Sequence, residues 1–175
     1  MKNDWTGKIV LIGFRGTGKS TIGKKLALSL GIKYLSIDDL IRKEFNLSIT
    51  EIIEKYGWAI FRKKESEIIK SLKSKKNIVI DTGGGSILKN VNRINLKQGA
   101  IVVQFTAYKK DIYQRIAAGK DRPALTNVTL KKEISELVDS RKELYNSISD
   151  ITINTSKNNI NQTIAIVHKY IKGLH

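Results

Sequence analysis

The sequence predicts an α/β domain in which a parallel sheet is covered by helices on both faces. Three observations carry that prediction. Apolar runs of four to six residues alternate with longer segments whose apolar residues recur at helical spacing. The runs are apolar at consecutive positions, as in KIVLI and AIVVQF, which suits strands buried on both faces. A glycine-rich turn joins the first run directly to the first helical segment.

The elements follow in order. KIVLIG, Lys8 to Gly13, is the first strand. Ser20 to Leu30 is a helix with Ile22, Leu26 and Leu30 on one face and Gly31 as its C-terminal cap. KYLSI, Lys33 to Ile37, is the second strand, and Asp39 to Phe45 a helix. SITE, Ser48 to Glu51, fits a capping box and starts a further short helix, with a longer one from Trp58 to Leu72. NIVID, Asn77 to Asp81, and AIVVQF, Ala100 to Phe105, are the third and fourth strands. Lys109 to Ala118 is helical. Gly119 to Val128 is polar, holds the single proline, Pro123, and reads as a mobile loop. A helix over Leu130 to Tyr145, a fifth strand over Asp150 to Asn154 and a helix over Asn159 to Ile171 complete the chain. No repeat, linker or low-complexity tract divides it, so the 175 residues are expected to form one domain.

Composition excludes several classes. The chain has no cysteine, which removes disulfides and thiolate zinc sites and suits a reducing cytoplasm. No apolar run approaches the length of a membrane span, and the short N-terminal run feeds a glycine loop rather than a cleavage site. The net charge of +16 raises nucleic acid as a partner. However, lysine is scattered along the chain beside isoleucine and asparagine, a residue-usage bias, and no aromatic–basic interleaving offers a stacking platform. The reading is therefore no nucleic acid, no membrane and a monomer, with a nucleotide-gated nucleic-acid module as the rival from another class. Only seven of the basic residues are arginines, so their positions matter more than the total charge.

Gly13-x4-Gly18-Lys19-Ser20 matches a phosphate-binding loop. Gly16 and Gly18 let the backbone turn its N–H groups inward, and the helix from Lys19 adds its positive end. Lys19 is placed to reach the β- and γ-phosphates, and the Ser20 hydroxyl to ligate Mg²⁺. Arg15, inside the loop, reads as a solvated side chain.

A phosphate cradle does not identify the acceptor. Asp38 and Asp39 close the second strand, where ligands of open parallel sheets bind. Asp38 is either a site carboxylate or the N-cap of the following helix. DTGGGS, Asp81 to Ser86, follows the third strand. Three successive glycines after a buried strand are costly unless something must approach the backbone closely. Arg62 and Arg141 carry guanidinium forks that pair with carboxylates or phosphates, although each alone also fits a surface ion pair. Arg122, beside Pro123 in the mobile loop, suits a lid cation that neutralises charge in phosphoryl transfer.

Taken together, GFRGTGKST, Asp38 in LSIDDLI, Phe61-Arg62, TGGGS from Thr82, RPALT from Arg122 and the R-x-x-L-Y of Arg141 to Tyr145 resemble the shikimate kinases over nearly the whole length. The resemblance implies a three-layer P-loop kinase fold of nucleoside-monophosphate-kinase type, with five parallel strands in the order 2-3-1-4-5. A substrate-binding subdomain would span about 33–72 and a lid about 117–128. ATP would be held by Gly16, Thr17, Gly18, Lys19, Ser20 and Thr21, with Arg115 stacked on adenine, Asn158 near the base and Arg122 crossing to the phosphates. Shikimate would be held by Asp38, Arg62, Arg141 and the backbone of Gly83, Gly84 and Gly85, with Asp38 the base on its 3-hydroxyl. Lys19 and Arg122 would assist catalysis, and Mg²⁺ would accompany ATP. The alternative is another small-molecule P-loop kinase, for gluconate or a nucleoside monophosphate.

Three positions depart from the family pattern. Where many members carry Asp-x-Asp at the end of the second strand, this chain has Ser36 before Asp38, so a carboxylate that helps hold water around Mg²⁺ is replaced by a hydroxyl. Glu143 replaces a frequent proline before Leu144-Tyr145, and Asn158 stands near a frequent arginine or glutamine.

Overall fold

The computed structural model describes residues 7–118 and 129–174. Five strands, β1 (Lys8–Ile12), β2 (Lys33–Ser36), β3 (Ile78–Asp81), β4 (Ile101–Thr106) and β5 (Ile151–Asn154), form one sheet in the order β2-β3-β1-β4-β5. Every neighbouring pair is parallel. The helices are α1 (Lys19–Leu30), α2 (Ile37–Phe45), α3 (Ile49–Ser71), α4 (Asn90–Lys97), α5 (Lys109–Ala117), α6 (Leu130–Asn146) and α7 (Ile160–Lys172).

The alternation of side chains along a strand explains the layers. Val10 and Ile12 of β1, Ile80 of β3 and Val102 of β4 face a core completed by Ile37, Ile41, Phe61 and Ile69 from α2 and α3. Ile9, Leu11, Val79 and Val103 face the opposite core, closed by Ile22 and Leu26 of α1 and Val167 of α7. Each such fully buried side chain contributes about 1.5–3 kcal/mol of transfer free energy. A smaller cluster of Phe14, Ile112 and Ile134 ties the loop after β1 to α5 and α6.

Two local features differ from the sequence expectation, and one between them holds as read. β2 stops at Ser36, whose hydroxyl accepts the Asp39 N–H at 3.2 Å and so caps α2. Asp38 therefore lies in the first turn of the helix, and its alternative as the N-cap is removed. The capping box of Ser48 and Glu51 forms as read, and α3 consists, as expected, of a short helix and a longer one from Trp58, which meet at a kink at the non-helical Gly57. Gly57 has φ 79° and ψ 165°, a conformation open to glycine and not to other residues. Helix α4 carried no signal, because Val91 and Ile94 are exposed and Leu96 is its sole buried apolar residue. Polar bonds hold it instead: Asn92 Nδ2 donates to the Ser86 carbonyl at 3.0 Å, and Arg93 Nη1 to the Ile87 carbonyl at 2.7 Å.

Because all five strands run one way, the ends of β1, β2 and β3 deliver the phosphate-loop residues, Asp38 and Gly83 to Gly85 to one edge of the sheet. The loop expected over Gly119 to Val128, with Arg122 and Pro123, lies outside the described residues.

Candidate active site

The loop between β1 and α1 closes on itself through short polar bonds. Thr17 Oγ1 donates to the Phe14 carbonyl at 2.8 Å, and Thr155 Oγ1 to the Thr17 carbonyl at 2.9 Å. Gly18 enters α1 at φ 90°, so the helix starts with its N–H groups turned toward the loop. Lys19 is buried, and its ammonium lies over the loop, donating to the Gly13 and Phe14 carbonyls at 2.9 and 3.1 Å. Gly16, Gly18, Lys19, Ser20 and Thr21 line an open cleft with Asp38 on its far side. Backbone donors, a fixed cation and a helix N-terminus together make an anion cradle sized for phosphates.

Arg15 is not solvated, as the sequence suggested. It is buried, and its guanidinium is ion-paired with Glu133 of α6, itself fully buried. Burial lowers the Arg15 pKa from its ordinary value, and the Glu133 carboxylate opposes that shift. The phosphate loop is thereby anchored to α6.

A second pocket opens beside the cradle, lined by Asp38, Arg62, Arg141 and Gly83 to Gly85, with Phe14 and Trp58 as apolar walls. Arg62 projects from α3 and donates to Glu65 Oε2 at 2.7 Å, while Glu65 Oε1 accepts the Ser86 hydroxyl at 2.6 Å. The Arg62 guanidinium lies 5.2 Å from the Trp58 ring centre and 5.0 Å from that of Phe61. Arg141 reaches in from α6, donating to the Gly84 carbonyl at 3.3 Å and lying 5.8 Å from the Phe14 ring. Tyr145, one turn on, donates to the same carbonyl at 2.5 Å. Burial pushes its phenol pKa up to about 12.

The triple glycine has a specific steric reason. A Cβ on Gly83 would lie 3.0 Å from Glu65 Oε1 and 3.1 Å from Asp38 Oδ1, and one on Gly84 3.2 Å from the Arg15 nitrogen. On Gly85 it would meet the Arg62 guanidinium. The glycines let the pocket's own charged groups approach the bare backbone.

Two arginine forks in a pocket otherwise walled by the Gly83–Gly85 backbone and apolar side chains suit a small carboxylic acid. Asp38 borders both the pocket and the phosphate cleft, so one carboxylate faces donor and acceptor sides. Residues 15–173 match the family model described as shikimate kinase. The shikimate kinase of Caldanaerobacter subterraneus subsp. tengcongensis is 37% identical over 165 residues, covering 94% of this chain and 96% of that protein. That of Geobacter sulfurreducens is 34% identical over 164 residues, covering 94% and 90%. The structure of the Acinetobacter baumannii shikimate kinase in complex with shikimate superposes with a TM-score of 0.90 at 32% identity, over 95% of this chain and 93% of that one.

The chain belongs to the shikimate kinase family.

The strand order implied by the resemblance to shikimate kinases is the order observed. Arg115 sits at the mouth of the cleft, its Nη1 donating to the Gly16 carbonyl and to Thr155 Oγ1, each at 3.1 Å. Asn158 lines an adjoining groove with Arg115, Gly18 and Thr21, and its Nδ2 donates to the Asn154 carbonyl at 2.9 Å. Asp39 lines neither the cradle nor the acceptor pocket and is ion-paired with Arg42 at the surface.

Sequence reasoning missed the residues that hold the shikimate kinase site from behind. Glu65 was hidden in a charged helical stretch, FRKKESE, where an i,i+3 partner of Arg62 reads as surface. Tyr145 was noticed as part of the R-x-x-L-Y motif but given no contact. Asp81 was seen only as the residue before the glycines. The contacts of these three were hidden because each has a partner on another element: Ser86 for Glu65, Gly84 for Tyr145, and Ser20 and Tyr34 for Asp81.

Proposed function

We propose that this protein transfers the γ-phosphate of ATP to the 3-hydroxyl of shikimate, giving shikimate 3-phosphate and ADP. One observation carries the reading: the double-arginine pocket shares the Asp38 carboxylate with the phosphate cleft. Family membership and the similarity to a shikimate-bound kinase support it.

In this mechanism the shikimate carboxylate lies between Arg62 and Arg141, which fixes the ring against the Gly83–Gly85 backbone. Fixed orientation of this kind supplies much of the rate enhancement in phosphoryl transfer. Asp38 accepts the 3-hydroxyl proton as the hydroxyl oxygen bonds to the γ-phosphorus and the bond to the bridging oxygen of ADP breaks. Lys19 holds the β- and γ-phosphate oxygens in the cradle. Arg115 and Asn158 border the nucleoside, and Arg122 is assigned to the γ-phosphate from the segment 117–128, the proposed lid. β2, α2 and α3 form the acceptor-binding subdomain, about 33–72.

The residues present fit Mg²⁺. Among the described residues there is no group of three or more acidic or histidine side chains that would cage a metal by itself. There is a Ser20 hydroxyl at the cradle held by a buried carboxylate oxygen at 2.6 Å, the sparse oxygen set that Mg²⁺ shares with nucleotide phosphates. Bound there, Mg²⁺ would neutralise charge on the β- and γ-phosphates, with Ser20 as its protein ligand.

A cytoplasmic site of action is part of this reading. Among the described residues no helix is long and apolar enough to cross a membrane. A coupled ADP-release assay with shikimate, gluconate and nucleoside monophosphates tests the function. Turnover that depends on shikimate is expected, and its absence with Mg²⁺ and ATP present would overturn the proposal.

A further inference from the structure

Arg15 and Glu133 form a buried ion pair to which the mechanism above gives no part. Arg15 lies in the loop between β1 and α1, and Glu133 in the first turn of α6. Apolar contact runs alongside the pair, because their chain neighbours Phe14 and Ile134 belong to one cluster.

The pair stands where the two halves of the site meet. Arg15, Asp38 and Gly84 border both the acceptor pocket and the phosphate cleft. The loop carries the donor cradle, and Lys19 is held there by the carbonyls of Gly13 and Phe14, just before Arg15. Helix α6 carries one arm of the acceptor clamp, Arg141, about two turns beyond Glu133. A second connection closes the circuit. The Gly84 carbonyl accepts from Arg141 at 3.3 Å and from Tyr145 at 2.5 Å, and a Cβ on Gly84 would lie 3.2 Å from the Arg15 backbone nitrogen. Helix α6 is thus tied to the loop at both ends, directly by Glu133 and through Gly84 by Arg141 and Tyr145. Two ties fix its angle as well as its distance.

Stability alone gives little reason for an ion pair here. Burying both charges offsets most of their attraction, and apolar side chains of similar size often pack as stably. A charge-assisted bond adds a defined length and direction, which sliding methyl groups do not supply.

We propose that Arg15 and Glu133 are positioning residues, a strut that sets the distance between the phosphate cradle and the acceptor clamp and so aligns the acceptor hydroxyl with the γ-phosphorus. The inference rests on the proposed phosphoryl transfer and not on which acceptor is used.

The experiment measures the single-turnover transfer rate by rapid quench, on whichever acceptor of the assay panel the parent protein phosphorylates. Calorimetry gives the affinities for ADP and for that acceptor, each alone, and thermal melting reports the fold. Glu133→Asp keeps the charge and shortens the strut by about 1.5 Å, one carbon–carbon bond. The transfer rate should fall about 10- to 100-fold, the scale for a displacement of about 1 Å, with both affinities within about threefold. The double variant Arg15→Met with Glu133→Leu replaces the pair by apolar contact. Its Tm should stay within about 4 °C of the parent while its transfer rate falls at least about tenfold. A transfer rate within about threefold of the parent in either folded variant would overturn the proposal, because the pair would then only stabilise the fold. A tenfold loss of either affinity would overturn it as well, by marking direct contact with that ligand. Failure of both variants to fold would overturn it too, by making the pair a foundation of the fold. A parent that phosphorylates another acceptor and not shikimate refutes the proposed function alone, since the strut is judged on the variants' rates relative to the parent.

Discussion

Substituting Gly85 by alanine tests the acceptor clamp with a single methyl group. An alanine Cβ would stand 2.6 Å from Arg62 Cζ and 2.9 Å from Nη1, where ordinary contact begins at 3.4 Å. Its Nη2 would stand closer still, so the guanidinium must withdraw by about 1.1 Å, the scale of displacement that costs a positioned group about a hundredfold in rate. The backbone at Gly85 is not in the left-handed region, and the obstacle is the tip of a flexible side chain rather than main chain. The fold should therefore tolerate the change, with a loss of about 1 kcal/mol or less and a Tm shift of no more than about 2–4 °C. The functional cost is larger. A charge-assisted hydrogen bond contributes about 1.5–3 kcal/mol, so kcat/KM for shikimate should fall about 10- to 100-fold. The KM for ATP should stay within about twofold, since Arg62 borders the acceptor pocket and not the phosphate cleft. Initial rates in the coupled assay, varying each substrate in turn, separate the two. A shikimate kcat/KM within about threefold of the parent, or an ATP KM that rises by the same factor as that of shikimate, would refute the reasoning.

Asp38→Asn should lower kcat by at least about a hundredfold, the scale of a general base, and near-normal turnover would reduce Asp38 to a binding residue. Arg141→Ala should chiefly raise the shikimate KM, and a change confined to the ATP KM would contradict its placement in the acceptor pocket. Gly57→Ala meets no atom, so its cost is purely the strained backbone at φ 79°, about 1–3 kcal/mol, read as a Tm loss of about 2–12 °C. Tyr145→Phe should cost about 1 kcal/mol by removing the bond to the Gly84 carbonyl. Its phenol pKa is raised to about 12 by burial, so that contribution is full below the unfolded value of 10.0 and is lost as pH climbs through about 12. Denaturation midpoints should accordingly show a constant gap between the two proteins from about pH 6 to 9.

The sequence determined the sheet, most of the helices and the cradle, because those depend on signals carried within a dozen neighbouring residues. Consecutive apolar residues at Lys8–Ile12 and Ile101–Thr106 mark doubly covered strands, and the Ser48–Glu51 capping box forms as its spacing requires. Gly18-Lys19-Ser20 needs no distant partner to present a helix N-terminus to an anion. Helix α4 escaped notice because it is held by Asn92 and Arg93 bonds to the Ser86–Ile87 backbone and shows no apolar stripe. Only the resemblance to shikimate kinases joined Arg62 and Arg141 in one clamp; their spacing could not, since they lie on α3 and α6 and converge only when the sheet sets both helices beside Gly83 to Gly85. Tertiary structure also decided what Arg15, Glu65 and Asp81 do. A charge in a sequence looks the same whether it is solvated or buried. Its energy is set by the groups packed around it, and here those are Glu133 for Arg15, Arg62 and Ser86 for Glu65, and Ser20 and Tyr34 for Asp81, all but one more than a dozen residues away.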